Sequence, residues 1–205
     1  MGAADGAEPT ALPQLRVETG MHTTLIRRVL PDLPRNRLIT CSDDKTVRVW
    51  QMPEMRLVSV LRVPIDAGHE GQLYAVAVSP DGRTVATGGW TGWDWDRKAS
   101  IYFFDVASGE MIRRLGGFDN VVNALAWLPD GEHLAVGLQG YSGFLVIRLK
   151  DGSYMAVFHD DAEELLLGGR HVRLDNLADP RNVGVRPRDV TAFGGYGHGY
   201  RLPAI

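Results

Sequence analysis

The chain of 205 residues is 44% hydrophobic and 23% charged, with a formal net charge of −3, which is the composition of an ordinary globular protein. This charge gives no electrostatic reason to expect binding to nucleic acid or to an anionic membrane. The single cysteine, Cys41, excludes an internal disulfide, and no run of about 18 apolar residues suggests a transmembrane helix.

The amino-terminal segment is small and polar. Residues 1–13 have neither the basic head nor the apolar stretch of a signal peptide. Gly6 stands where a myristoylation signal carries serine or threonine. We therefore predict a flexible arm over residues 1–13 and a cytoplasmic location for the protein.

Strand patterns begin at residues 14–19 and recur at short spacing to about residue 159. The turn Pro80-Asp81-Gly82 separates two apolar runs, and Pro129-Asp130-Gly131 occupies the same place in a later copy. Proline presets the backbone angle of such a turn and glycine adopts the positive φ. Asn36 stands where glycine would be in the first copy.

The strands form three four-stranded units at about residues 21–63, 69–115 and 121–159. Residues 14–19 are predicted as the outer strand of an incomplete unit. Residues 73–78 are apolar at nearly every position, which is typical of a sheet covered on both faces. Such units cannot bury their faces alone, so the pattern predicts an array of stacked sheets.

The first unit carries a spaced set of polar and aromatic side chains: His22, Thr40, Asp44 and Trp50. This spacing resembles the WD-repeat β-propeller family, of the bacterial type, although Met21 precedes His22 where the family has glycine. The resemblance implies that the four side chains hydrogen-bond in series as a structural tetrad that joins the strands of one blade. Their role would be structural and not that of a catalytic triad.

Later copies of the motif are degenerate. The second unit keeps Gly68-His69 and Thr87, but Phe104 replaces tryptophan, and the third has Ile147 there. The resemblance therefore covers residues 14–160. It implies an all-β fold, a partial β-propeller of about three four-stranded antiparallel blades followed by an irregular C-terminal tail.

The connection between the second and third strands of the second unit is long and rich in tryptophan. We refer to residues 90–99 as the tryptophan insertion. Large aromatic side chains beside an arginine are typical of binding hot spots. The predicted partner-binding residues are Trp90, Trp93, Trp95 and Arg97. The alternative is that the indoles fold over the propeller rim and fill gaps between blades.

The sequence lacks recognisable catalytic, nucleotide-binding and metal-binding motifs. No nucleotide-binding glycine pattern follows a strand, and the histidines show no metal-ligand spacing with one another or with Cys41. Asp94 and Asp96 lack the glycine and the distal glutamate of a calcium loop. We therefore predict no catalytic, cofactor-binding or metal-binding residues, and a protein that is not an enzyme.

The tail, residues 161–205, lacks the repeat pattern. Arginine outnumbers lysine 19 to 3, which is typical of a GC-rich gene. Permitted codons for residues 171–192, read one nucleotide later, encode the strand, turn and strand of a further blade. We hypothesise a change of reading frame near residue 160, which sequencing of the coding DNA decides. The alternative is an evolved extension, disordered or loosely docked.

The predicted function is that of a non-catalytic scaffold or sensor module that binds another protein through the blade rims and the tryptophan insertion. In similar bacterial proteins the propeller accompanies a signalling or effector domain. One alternative is a propeller that binds a small ligand or is an accessory domain of a hydrolase or signalling protein. Another is a gene fragment without function. Because propellers close with about four to eight blades, we expect missing blades or self-association to cover the open faces.

Overall fold

A computed structural model of the chain describes residues 18–140, 143–152, 154–158, 164–167 and 170–173. It is built mainly of β-strands in three four-stranded antiparallel sheets, which confirms the predicted partial propeller. The first blade contains β1 (Ile26–Asp32), β2 (Arg37–Ser42), β3 (Thr46–Gln51) and β4 (Arg56–Arg62). The second contains β5 (Gln72–Val78), β6 (Thr84–Trp90), β7 (Ala99–Asp105) and β8 (Met111–Phe118). The third contains β9 (Val122–Trp127), β10 (His133–Leu138), β11 (Phe144–Arg148) and β12 (Tyr154–Phe158).

Each blade is a meander whose strands pair in chain order, because the connections are tight turns. Gly82 and Gly131 close the first turn of the second and third blades with φ of 69° and 72°. Asn36 takes the left-handed conformation in the first blade with φ of 48°, the position where the sequence substitutes it for glycine. Asparagine tolerates this region better than most residues with a Cβ atom.

Two apolar clusters hold the blades together. One unites the first and second blades through side chains that include Ile39, Val49, Leu73 and Phe104. The other unites the second and third blades through side chains that include Ile101, Phe103, Leu134 and Ile147. Because neighbouring sheets cover one another's faces, the strands are apolar on both sides, as the sequence predicts.

A polar contact also joins the first two blades, at the end of the strands where the Pro-Asp-Gly turns lie. Asp32 is 4% exposed and accepts hydrogen bonds from Arg35 at 3.0 Å and from Arg37 at 2.5 Å. The same guanidinium groups donate to the carbonyl oxygens of Pro80 and Gly82 in the next blade. The buried carboxylate therefore orients two cations across the boundary between blades.

The amino-terminal segment differs from the sequence prediction in the few residues that the structure describes. The predicted arm and residues 14–17 of the predicted outer strand lie outside the described residues, and Glu18 and Thr19 are not in a strand. Glu18 instead accepts hydrogen bonds from Arg48 at 2.6 Å and Arg62 at 2.9 Å. Arg48 is 3% exposed, and a buried guanidinium requires such a partner.

The described residues of the tail form a short hairpin of β13 (Glu164–Leu167) and β14 (Arg170–Arg173), where the sequence predicted no regular element. Most of residues 171–192, on which the frame-change hypothesis depends, lie outside the described residues. Within the described part of the chain, no helix has both the length and the apolar character needed to cross a membrane.

Candidate functional site

The four residues of the predicted tetrad lie within hydrogen-bonding distance of one another in the first blade. His22 precedes β1, Thr40 lies on β2, Asp44 in the following turn and Trp50 on β3. The Nε1 atom of Trp50 is 2.9 Å from Oγ1 of Thr40, which is 2.7 Å from Nε2 of His22. Nδ1 of His22 is 2.8 Å from Oδ2 of Asp44.

The donor and acceptor groups of the four side chains determine the direction of these hydrogen bonds. An indole N–H can only donate, so Thr40 accepts from Trp50. With its own hydroxyl proton, Thr40 then donates to Nε2 of His22, and Nδ1 of His22 donates to Asp44. Every side-chain group in the series thus has a hydrogen-bond partner. The arrangement ties a preceding loop, two strands and a turn into one unit, and we propose this as its role.

Asp44 is the centre of a wider set of hydrogen bonds than the spacing predicted. Oγ1 of Thr46 donates to it at 2.6 Å, and the backbone N–H groups of Thr46 and Thr23 donate at 3.1 Å each. Burial by itself would raise the pKa of Asp44, but the hydrogen bonds from His22 and Thr46 outweigh it and lower the pKa to about 2. The carboxylate is therefore held charged beneath the surface, with its side chain only 6% exposed.

The second blade lacks this network. His69 bonds Gln72 at 3.1 Å, and the hydroxyl of Thr87 donates to the carbonyl oxygen of Ala75 at 2.8 Å. Phe104, in the place of Trp50, is 1% exposed and belongs to the apolar cluster with the first blade. Apolar packing therefore replaces the polar series here.

Within the tryptophan insertion, four residues form a single helical turn, α1 (Trp93–Asp96), whereas Trp90 ends β6 and Ala99 begins β7. The backbone of this turn is held by Glu70, which is fully buried. The carboxylate accepts from the N–H groups of Gly92 at 2.6 Å and Asp94 at 3.0 Å. Burial raises the pKa of Glu70, although these hydrogen bonds oppose the shift.

Glu70 was missed by sequence reasoning. It directly follows the Gly68-His69 pair, a position where the repeat pattern gives no reason to expect a buried charge. Its partners lie 22 and 24 residues further along the chain. The sequence around Glu70 carries no signal that could have found it.

The predicted partner-binding residues occupy different environments. Trp95 is 8% exposed, and its indole N–H has no acceptor among the described residues. Such a side chain has little surface for a partner, and its partner-binding role stays a prediction. Trp90 and Trp93 are half-buried, and Arg97 is exposed with φ of 53° at the end of α1.

Three rings form a continuous patch that we call the aromatic surface: His69, Trp90 and Trp93. The ring centroids of Trp90 and Trp93 are 6.0 Å apart, with planes inclined at 58°. Those of His69 and Trp90 are 5.9 Å apart, inclined at 56°. These are the distances of favourable tilted aromatic pairs. The rings therefore support one another, and Trp90 and Trp93 stay partly exposed to solvent.

Removing the carboxylate of Glu70 tests whether it holds the insertion. In a Glu70→Ala variant the N–H groups of Gly92 and Asp94 lose their acceptor, at a cost of about 1–3 kcal/mol for the buried groups. We expect amide hydrogen exchange at these two residues to become at least about tenfold faster. Amides of β3 should keep their protection, and an equal change there would mean that the whole fold, and not the insertion, depends on Glu70.

Three packed meanders, the first of them carrying the hydrogen-bonded tetrad, define a β-propeller repeat protein. Residues 19–51, 58–102 and 109–147 match the family model described as WD domain, G-beta repeat. The chain belongs to the WD40-repeat family. Members of this family generally mediate protein–protein interaction and are typically not enzymes.

Individual relatives are distant and much longer. Coronin-7 of Mus musculus is 26% identical over 131 residues, which is 62% of this chain and 14% of that protein. Coronin-7 of Bos taurus is 26% identical over 159 residues, 64% of this chain and 17% of that protein. Cross-pathway control WD-repeat protein 2 of Flammulina velutipes is 28% identical over 105 residues, 50% of this chain and 29% of that protein. The chain thus spans less than a third of each of these relatives.

Proposed function

We propose that the chain is a scaffold or sensor module that binds another protein through the tryptophan insertion. The observation that carries this proposal is the aromatic surface, in which Trp90, at the end of β6, and Trp93, on the turn held by Glu70, are both partly exposed. Aromatic side chains in a pre-organised frame lose little conformational entropy on binding and are enriched among hot spots. Arg97, exposed beside them, is a further contact in this proposal.

A non-catalytic role is supported by the cavity between the innermost strands. A cavity of about 340 Å³ is lined by β1, β5 and β9, and Arg28 is the one ionisable side chain among its described lining residues. One Nη atom of Arg28 already bonds the carbonyl oxygen of Asn123. An enzyme requires converging acid, base or nucleophilic groups, which this lining does not supply.

Selection of a random peptide library on the full chain tests the proposal. We expect enriched peptides that bind the wild type and lose at least about tenfold in affinity to a Trp93→Ala variant. Met111→Ala is the matched control, because Met111 is 46% exposed on the outermost strand of the same blade. Peptides that bind both variants as they bind the wild type, or no enriched peptides, would contradict the proposal.

The more specific predictions made from the sequence are part of the same proposal. We propose blades at about residues 21–63, 69–115 and 121–159, repeats of the bacterial type, a cytoplasmic location, and a longer parent chain with a signalling or effector domain. Further blades or a second copy would cover the first blade, where Val29 and Val58 are 58% and 46% exposed. The frame change near residue 160 and a gene fragment without function stay hypotheses that the nucleotide sequence tests.

A further inference from the structure

The helical turn α1 needs anchors outside itself. A single turn is not stable alone, because the first hydrogen bond of a helix fixes several residues for little gain. Glu70 holds the amino-terminal end of the turn through backbone N–H groups. At the carboxyl-terminal end, Nη2 of Arg114 on β8 donates to Oδ2 of Asp96 at 2.8 Å. The turn therefore has an anchor at each end.

Arg114 also connects the turn to the buried part of the blade. Its Nε atom donates to Oγ of Ser100 on β7 at 3.1 Å, and Ser100 is fully buried. The N–H group of Ser100 donates to the carbonyl oxygen of Thr91 at 2.7 Å, and Oγ1 of Thr91 donates to the carbonyl oxygen of Ser100 at 2.6 Å. These two residues close the base of the insertion, and Arg114 links this base to Asp96.

Two glycines leave space for this link. A Cβ atom at Gly92 would lie 2.9 Å from Oγ of Ser100. Gly116 is the partner of Ser100 on the neighbouring strand, and a Cβ atom there would lie 3.2 Å from the same oxygen. It would also lie 3.7 Å from Nη2 of Arg114 and 3.7 Å from Oδ2 of Asp96. The guanidinium thus reaches Ser100 and Asp96 through space that these glycines leave open.

The position of Trp93 depends on the turn. The N–H group of Asp96 donates to the carbonyl oxygen of Gly92 at 2.9 Å, and that of Arg97 to the carbonyl oxygen of Trp93 at 3.2 Å. Trp90, in contrast, ends β6 and is fixed by the sheet. The ring centroids of Trp90 and Trp93 are 6.0 Å apart, so their relative position changes if the turn moves on the sheet.

We propose that Arg114 is the positioning residue of the aromatic surface. Its bridge between Ser100 and Asp96 fixes the turn and so holds the ring of Trp93 in place before any partner binds. The inference rests on the proposed function and adds the residue that pre-organises the binding surface. The side chains of Arg114 and Asp96 are 29% and 49% exposed, and an ion pair of this exposure contributes little to global stability. Its effect is on the insertion, where pre-organisation lowers the entropy lost on binding.

Circular dichroism tests the inference without a partner. Two indoles 6.0 Å apart couple their electronic transitions, and the difference spectrum between wild type and Trp93→Phe contains this signal. We expect Arg114→Ala and Asp96→Ala each to lose most of the signal while unfolding at nearly the same urea concentration as the wild type. The double variant should lose no more than either single variant, because both substitutions break the same bridge.

Arg56→Ala is the matched control, because it removes one exposed arginine from β4, which is the last strand of the first blade as β8 is of the second. It should leave the coupled indole signal unchanged. A signal that persists in Arg114→Ala and Asp96→Ala, or that falls equally in Arg56→Ala, would overturn the inference.

The peptides selected on the full chain give a second readout. Those that depend on Trp93 should bind Arg114→Ala about 2- to 10-fold more weakly than the wild type. Equal affinity for the two proteins would show that Arg114 does not pre-organise the surface. If the selection enriches no peptide that depends on Trp93, the scaffold proposal fails, while circular dichroism still decides whether Arg114 positions the ring.

Discussion

Replacing Trp50 by alanine should strongly destabilise the first blade. Trp50 is 5% exposed on the central strand β3, opposite Leu38 of β2 and Leu57 of β4, and its indole N–H supplies the first donor of the tetrad. Truncation of a buried tryptophan costs about 3–5 kcal/mol. That is a large share of the roughly 5–15 kcal/mol by which a typical domain is stable. Urea denaturation followed by circular dichroism measures the loss.

Trp50→Phe separates packing from hydrogen bonding. Phenylalanine keeps most of the ring volume but leaves Thr40 without its donor, so we expect a smaller loss of about 1–2 kcal/mol. Phe104 shows that the fold accommodates phenylalanine at the equivalent place in the second blade. If Trp50→Ala and the wild type unfold at the same urea concentration, Trp50 does not stabilise the blade.

Replacing Asp44 by alanine should cost about 3–5 kcal/mol, because it removes the acceptor of a buried charge-assisted set of hydrogen bonds. His22 and two groups of Thr46 then lose their partner beneath the surface. The free energy of unfolding at neutral pH, from urea denaturation, measures the effect. Asp43→Ala is the matched control, since its partner Arg27 is 44% exposed and the pair contributes at most about 1 kcal/mol.

The same carboxylate makes stability depend on pH. The pKa of Asp44 is about 2 in the folded protein, below the ordinary value of 3.8 for an aspartate, so its folded pKa is depressed. Its contribution is therefore complete above about pH 4 and is lost as the pH falls toward about 2. The difference in unfolding free energy between wild type and Asp44→Asn should shrink across this range. A difference that stays constant would show that Asp44 titrates normally.

The order of strands and turns could be predicted from the sequence because the steric preferences of the local backbone determine it. A Pro-Asp-Gly turn specifies its own backbone, and Asn36 shows that even its degenerate copy keeps the left-handed residue. The spacing of His22, Thr40, Asp44 and Trp50 also predicted four compatible hydrogen-bonding groups within one blade, on two neighbouring strands, a turn and the preceding loop. Sheets with apolar residues on both faces then required neighbours, which are present on the sides where the blades meet.

The order of the strands, the stacking of three blades and the membership of the tetrad were therefore determined by the sequence by itself. The exposure of each indole, the buried Glu70 beneath α1 and the ion pairs of Glu18 were decided only by the tertiary structure. The physical reason is distance along the chain: Glu70 and Gly92 meet across 22 residues, and Glu18 and Arg62 across 44. Periodicity reports the alternation of neighbouring side chains, whereas burial and pairing depend on which remote segments the folded sheets bring together.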